Sequence, residues 1–154
     1  MSTRAIQFLR QKKVPYDVVT YDHREKGAEF AARATGFPLA ATIKTLVVDV
    51  GQDRYFFVLM PGDRQVSMKQ LAKSLAVKRA AMVDTATAER LTGYLVGGIS
   101  PFGARRRLPS IIEKRLLDHE RVMINAGRRG MMLKMAPADI VAALGCRLCT
   151  IARP

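Results

Sequence analysis

The chain has 154 residues, 49% apolar and 25% charged, a balance that suits one compact domain spanning residues 1–154 and excludes a disordered polymer. Lys and Arg number 26 against 13 Asp and Glu, a formal net charge of +13 that favours a polyanionic partner, nucleic acid first. No apolar run approaches the roughly 20 residues of a membrane span, the N-terminus carries no signal-peptide core, and two cysteines make no disulfide framework, so a cytoplasmic protein without a membrane partner is expected.

In chain order, Ser2 is placed to cap a first helix whose apolar side is Ala5, Ile6, Phe8 and Leu9. Val14-Pro15 stops it, and the β-branched run from Tyr16 to Tyr21 predicts a strand. A second helix covers about Ala28 to Ala34 and ends at Gly36-Phe37-Pro38. Ile43 to Val50 and Arg54 to Met60 form a hairpin across Gly51-Gln52-Asp53. Ser67 caps a helix to about Leu75, with Lys69 and Lys73 outward at i,i+4 spacing. A short strand near Ala80 to Val83 and a helix from Asp84 or Thr85 to Leu91 follow.

The chain then enters Gly93-Tyr94-Leu95-Val96-Gly97-Gly98-Ile99-Ser100-Pro101-Phe102-Gly103. Four glycines and a proline sit here among apolar residues, unlike a solvated linker. Gly97-Gly98 tolerates positive φ and close approach of a ligand, and Pro101 biases Ser100 towards extended geometry. The expectation is a rigid loop that presents backbone groups to a cavity, although such loops also serve as plain structural corners. Arg105-Arg106-Arg107 is a charge cluster ahead of the apolar pair Ile111-Ile112. A helical turn near Arg115 to His119 precedes a strand from Val122 to Asn125. Gly127-Arg128-Arg129-Gly130 turns into Met131 to Met135. Pro137 opens a helix to Leu144 with Gly145 just past its end, and Cys146 to Ile151 is a last strand. Hairpins mixed with single helices predict an α+β fold with a mixed, mostly antiparallel sheet, curled or barrel-like and flanked by helices.

Few residues announce chemistry by themselves. Lys44 interrupts an apolar, β-branched strand, so it either faces solvent or lies in a pocket, where burial would lower its pKa. Asp139 sits where it would complement the dipole of the last helix. Cys146 and Cys149 have C-x-x-C spacing, but a zinc site needs further ligands and only His23 and His119 are available. A redox pair would open a helix after a strand, and this one follows a helix. Neither Ser100 nor Thr45 has an obvious base beside it in sequence.

Taken together, Tyr21-Asp22-His23, Ile43-Lys44-Thr45-Leu46-Val47-Val48, the loop from Gly93 to Pro101, Gly127-Arg128-Arg129-Gly130 and Ala136-Pro137-Ala138-Asp139 resemble the YbaK family over nearly the whole chain. These are free-standing relatives of the editing insertion of bacterial prolyl-tRNA synthetase. The resemblance implies a hydrolase that clears mischarged tRNA, Cys-tRNA(Pro) in the YbaK members and alanine or other small residues in sister families. It implies an essential Lys44 and backbone contacts to the scissile ester from Gly97, Gly98, Ile99, Ser100 and Pro101. It also implies an amino-acid pocket that includes Tyr21, Thr45, Asn125 and Asp139. The family's usual Ser-Gly-Gly-Lys-Arg-Gly run reads Asn125-Ala126-Gly127-Arg128-Arg129-Gly130 here, so Asn125 stands where the family has serine.

The implied mechanism is substrate-assisted, the cysteinyl thiol attacking its own ester with no metal or organic cofactor. Lys44 and the Gly97-Gly98 amides would stabilise the carbonyl oxygen. Arg105, Arg106, Arg107, Arg128, Arg129, Lys69 and Lys73 would contact acceptor-stem phosphates. Prolyl-tRNA synthetase is a further candidate partner. The competing readings are a deacylase for Ala-tRNA(Pro) or another small mischarged residue, and a catalytically silent tRNA-binding module of the same fold.

Overall fold

The computed structural model describes residues 2–154. The first helix, α1 (Arg4–Gln11), is capped by Thr3 and not by Ser2. The Thr3 hydroxyl accepts from the Ile6 N–H at 3.1 Å and donates to the Ala126 carbonyl at 2.6 Å. That second partner, from across the fold, selects Thr3 where local propensity allows either residue. Ala5, Ile6 and Leu9 form the buried face of α1.

The strand β1 (Asp17–Thr20) leads to α2 (Ala28–Thr35), which ends at a left-handed Gly36. A single 3₁₀ turn (Leu39–Ala41) precedes the hairpin of β2 (Ile43–Asp49) and β3 (Tyr55–Pro61). Gln52 and Asp53 both take positive φ between them, the geometry that matches strand twist in a tight hairpin. Then come α3 (Met68–Ser74), capped by Ser67, β4 (Ala81–Met82), and α4 (Thr85–Thr92), capped by Asp84. The apolar pair Ile111-Ile112 belongs to a strand, β5 (Ser110–Glu113). A 3₁₀ turn (Lys114–Asp118) leads to β6 (Val122–Arg128), β7 (Met131–Met135), α5 (Pro137–Leu144) and β8 (Arg147–Cys149).

The fold is α+β, and its strands form two sheets. One has the order β4-β2-β3-β5-β8, antiparallel through β3 and parallel from β3 to β8. The other is β1-β7-β6, wholly antiparallel. A parallel bridge between Thr42 and Met123 joins them at a corner, so the expected curl is present without closure into a barrel.

The larger sheet is buried on both faces. Phe57 and Leu59 of β3 join α1 in the main cluster, while Val58 and Met60 pack with Leu71 of α3 on the other side. Strand alternation puts Lys44 on the same side as Leu46 and Val48 and opposite to Ile43, Thr45 and Val47. Glu113 is fully buried and its carboxylate accepts the N–H groups of Arg115, Ile151 and Ala152, tying the C-terminal segment to β5. No helix among the described residues is long and apolar enough to cross a membrane.

Candidate active site

A cavity of about 320 Å³ opens between β2, the start of α2, the loop after α4 and the middle of β6. Lys44 and Thr45 enter it from β2, and Val96, Gly97 and Ile99 from the loop. Asn125 and Met132 reach it from the smaller sheet, and Tyr21 from the segment after β1.

Lys44 is half-buried, and its Nζ donates to the Arg64 carbonyl at 2.5 Å. The carbonyl is delivered by the turn after β3, where the Arg64 N–H returns to Pro61 at 3.1 Å. Burial holds the Lys44 ammonium below its ordinary pKa, with the charges of Asp63 and Glu29 opposing the shift. The result is a partly desolvated cation at the cavity wall, where its field is stronger than in water. Burial also raises the Tyr21 phenol, against a smaller opposing effect of the Gly130 backbone.

The loop is rigid for identifiable reasons. Gly93 ends α4 in the left-handed conformation, and its N–H donates to Glu89 at 2.8 Å. The Tyr94 hydroxyl donates to the Phe102 carbonyl at 2.5 Å, spanning the loop from end to end. The Glu89 carboxylate accepts from the Val96 N–H at 2.8 Å, and Arg129 Nε donates to the Val96 carbonyl at 2.8 Å. A Cβ on Gly98 would lie 2.9 Å from the Arg128 carbonyl carbon and the Arg129 nitrogen, so glycine is what lets the loop reach the β6–β7 turn.

The structure gathers Lys44, Thr45, Tyr21, Gly97, Ile99 and Asn125 around one space and leaves other expected residues outside it. The Gly98 N–H donates to the Leu95 carbonyl at 2.9 Å, so it is engaged within the loop, and Gly98 does not line the cavity. Ser100 is fully buried and its Oγ accepts from the Phe102 N–H at 3.2 Å, while Pro101 is buried beside it. Both shape the loop and neither lines the cavity. Asp139 lines a separate depression with Pro15, Asp17 and Arg121.

Among the basic residues, Arg128 and Arg129 stand at the β6–β7 turn beside the loop. Arg105 and Arg107 are exposed. Arg106 is held by Asp53, 3.3 Å away as an ion pair, and lies over the Tyr55 ring. Lys69 and Lys73 are exposed on α3.

The start of α2 was not anticipated as part of the site. Lys26, Gly27 and Ala28 line the cavity, and Lys26 lies against Gly97. No side chain caps α2, whose N-cap is Gly27 at φ 104°. The signal available in sequence was a basic residue next to a glycine where Ser, Thr, Asp or Asn would otherwise cap a helix. The two cysteines are free and buried, with the Cys146 thiol pushed up to about 12 by burial. The described residues contain no cluster of three or more metal-ligating side chains.

A family model for the aminoacyl-tRNA editing domain matches residues 24–143, a span that includes β2, the loop and the β6–β7 turn. The chain belongs to this family. As an editing domain it has aminoacyl-tRNA as its substrate class and deacylation as its reaction. A relative from Enterococcus faecalis, EbsC, designated a Cys-tRNA(Pro)/Cys-tRNA(Cys) deacylase, is 30% identical over 142 residues, covering 91% of this chain and 87% of its own. The Escherichia coli K12 protein ProXp-y, named a multifunctional Ser/Thr-tRNA deacylase, is 28% identical over 140 residues, 88% of this chain and 83% of its own. A crystal structure described as a trans-editing enzyme for prolyl tRNA synthetase superposes with a TM-score of 0.89, covering 98% of this editing domain and 96% of that chain. At 21% identity that likeness concerns the fold.

Proposed function

We propose that this editing domain hydrolyses the ester of Cys-tRNA(Pro), working in trans to prolyl-tRNA synthetase. The observation that carries the reading is the meeting of the Lys44 ammonium, the Gly97–Ile99 loop and Asn125 around one cavity sized for a small amino acid. An aminoacyl ester is already activated, so catalysis here means orientation and stabilisation of negative charge on the carbonyl oxygen. Lys44 supplies one positive group and the Gly97 amide a second donor. Lys26 and the uncapped start of α2 add positive potential at the same wall.

The cavity-lining side chains include no nucleophile–base pair, which favours the substrate's own thiol. In that step the cysteinyl sulfur bonds to the ester carbonyl carbon and loses its proton. The carbon–oxygen bond to the tRNA breaks, the 3′-terminal ribose oxygen takes up a proton, and a cysteine thiolactone leaves to be hydrolysed by water. Arg128 and Arg129 at the β6–β7 turn, with Arg105, Arg107, Lys69 and Lys73, contribute the field that holds the polyanion.

A second reading is favoured by Asn125, whose amide hydrogen-bonds more readily to a hydroxyl than to a thiol and which stands where the family has serine. On that reading the substrate is a small hydroxy amino acid, the class in the name of the Escherichia coli relative. A deacylation panel of Cys-, Ser-, Ala- and Pro-charged tRNA(Pro) decides between them. Fastest clearance of the cysteinyl ester is expected, fastest clearance of the seryl ester would establish the second reading, and inertness towards all four would leave only a tRNA-binding module.

A further inference from the structure

We infer that the groove between α1 and the edge strand β1 seats the single-stranded 3′ end of the tRNA, next to the nucleotide that carries the amino acid. The groove holds about 590 Å³ and is lined by Arg10, Tyr16, Val18, His23, Arg128 and Arg129 among others. It is separate from the cavity that holds Lys44, yet Tyr21 lines both, so the two share a wall. The inference rests on the deacylase reading for the identity of the RNA.

Three properties of the groove fit unpaired RNA. Its charge has one sign: Arg10, Arg128 and Arg129 line it, and no described residue lining it is acidic. It also offers flat and apolar surface. Tyr16 is half-buried and fixed by a hydrogen bond from Arg10 Nε to its hydroxyl at 3.2 Å, which leaves a positioned ring beside a guanidinium. Val18 is 47% exposed on β1, an uncommon degree for a strand valine, and the buried Met131 also lines the groove. Aromatic rings, arginine planes and apolar side chains along a basic track are what successive bases stack on, with little demand on sequence.

The third property is continuity. His23, Arg128 and Arg129 line this groove and also a neighbouring depression that includes Gly93, Gly98 and Leu95 of the loop, Leu95 being 63% exposed. A cationic ridge therefore runs from the edge of the Lys44 cavity around the β6–β7 turn to α1. A strand whose terminal ester lies in the cavity meets that ridge at once. The groove lies outside the Arg105–Arg107 cluster and α3, so it makes a distinct prediction about where RNA touches the chain.

The test is photocrosslinking of the intact protein to an uncharged RNA hairpin with an acceptor stem and a four-nucleotide 3′ overhang. 4-Thiouridine replaces the nucleotide before the terminal adenosine. Crosslinked peptides are expected within residues 10–23 and 128–131, and crosslinks confined to residues 69–73 or 105–107 would overturn the assignment. In parallel, Arg10→Ala with Tyr16→Ala should weaken hairpin binding by roughly tenfold, in the range expected for a lost stacking contact and a lost cation. Tyr16→Phe, which keeps the stacking ring and loses only the hydrogen bond from Arg10, should bind more tightly than the double variant. Wild-type binding by the double variant, or no measurable binding by the wild type, also overturns the inference. Because the probe carries no amino acid, crosslinks in the groove from a protein that deacylates nothing would uphold this site while removing the proposed reaction.

Discussion

Lys44 Nζ sits 2.5 Å from the Arg64 carbonyl oxygen, a contact that holds a half-buried ammonium at the cavity wall before any substrate arrives. The arrangement is preorganised: the donor is aimed by the turn after β3 and needs little reorganisation as charge develops on an ester oxygen. Lys44→Ala should therefore fold normally and lose deacylation by about 100- to 1,000-fold, the usual consequence of removing one charge-stabilising donor. Single-turnover kinetics on charged tRNA would measure it. Wild-type rates from the folded variant would end the catalytic assignment.

The same burial fixes a pH dependence. Lys44 titrates below its ordinary 10.5 because its charged form is partly desolvated, with Asp63 and Glu29 restoring only part of the loss. Once spontaneous ester hydrolysis is subtracted, the enzymatic rate should decline with an alkaline midpoint below 10.5, and Lys44→Arg should lack that limb if it retains activity. Stability runs the other way. The folded state holds this proton less tightly than the unfolded chain, so the penalty is full below the lowered pKa and vanishes above 10.5. The stability gap between Lys44→Met and wild type should narrow as pH rises through that window. A gap independent of pH would contradict the burial account.

Gly98 makes a prediction about geometry. A methyl group there meets the Arg128 and Arg129 backbone at 2.9 Å, and backbone cannot swing aside as a flexible side chain does. Gly98→Ala should displace the loop from the β6–β7 turn and cost about 1 to 3 kcal/mol of stability, measurable by urea unfolding. Since misplacement of reacting groups by about 1 Å is worth on the order of 100-fold in rate, kcat/KM should fall by a comparable factor. An alanine variant with unchanged stability and rate would show that the two segments are not held in register.

The basic residues differ in what they are free to do. Arg105, Arg106 and Arg107 are all exposed, but the Arg106 guanidinium is paired with the Asp53 carboxylate and backbone and packs over Tyr55. In log–log plots of tRNA affinity against salt, each lost phosphate contact should flatten the slope by roughly 0.7 to 0.9. Neutralising Arg128 and Arg129 is expected to do so. Neutralising Arg106 alone should leave the slope where it was. An unaltered slope after Arg128→Gln with Arg129→Gln would remove the β6–β7 turn from the RNA footprint.

Much of this was legible in the chain because local signals and tertiary structure agree. Ser67, Asp84, Pro137 and Gly145 mark helix ends by rules that hold within a few residues, and the β2–β3 hairpin is local in sequence. Long-range pairings were the harder part. β5 lies between β3 and β8, both parallel to it and both far away in sequence, so Ile111-Ile112 alone could not reveal its partners. The resemblance brought Lys44, Thr45, Tyr21, Gly97, Ile99 and Asn125 to one site, but it could not show that the Gly98 amide closes a turn onto Leu95. Nor could it show Asp139 in a depression with Asp17 and Arg121, residues brought there from distant parts of the chain. Lys26 and the start of α2 entered the site through packing against Gly97, a contact between segments 71 residues apart in numbering.

The last prediction concerns which atom attacks the ester. Two hydroxyls near the site are poor candidates on structural grounds. Ser100 is fully buried and turned to the Phe102 N–H. Thr45 Oγ1 is buried without a hydrogen-bond partner, so no base is placed to take its proton. Ser100→Ala and Thr45→Val should therefore retain substantial activity, and Thr45→Val should cost little stability because it removes an unpartnered polar atom. If the substrate's thiol is the nucleophile, discrimination should exceed what fit can give. A pocket separates near-isosteres by only about 10- to 200-fold, whereas a well-oriented intramolecular nucleophile carries an effective molarity of roughly 10⁵ M or above. Cys-tRNA(Pro) should then be cleared far faster than Ala-tRNA(Pro), although alanine is the smaller side chain. Trapping the first product distinguishes the routes: a cysteine thiolactone supports attack by the thiol. Direct release of free cysteine, with alanine turned over equally well, would instead require water activated at the Lys44 wall.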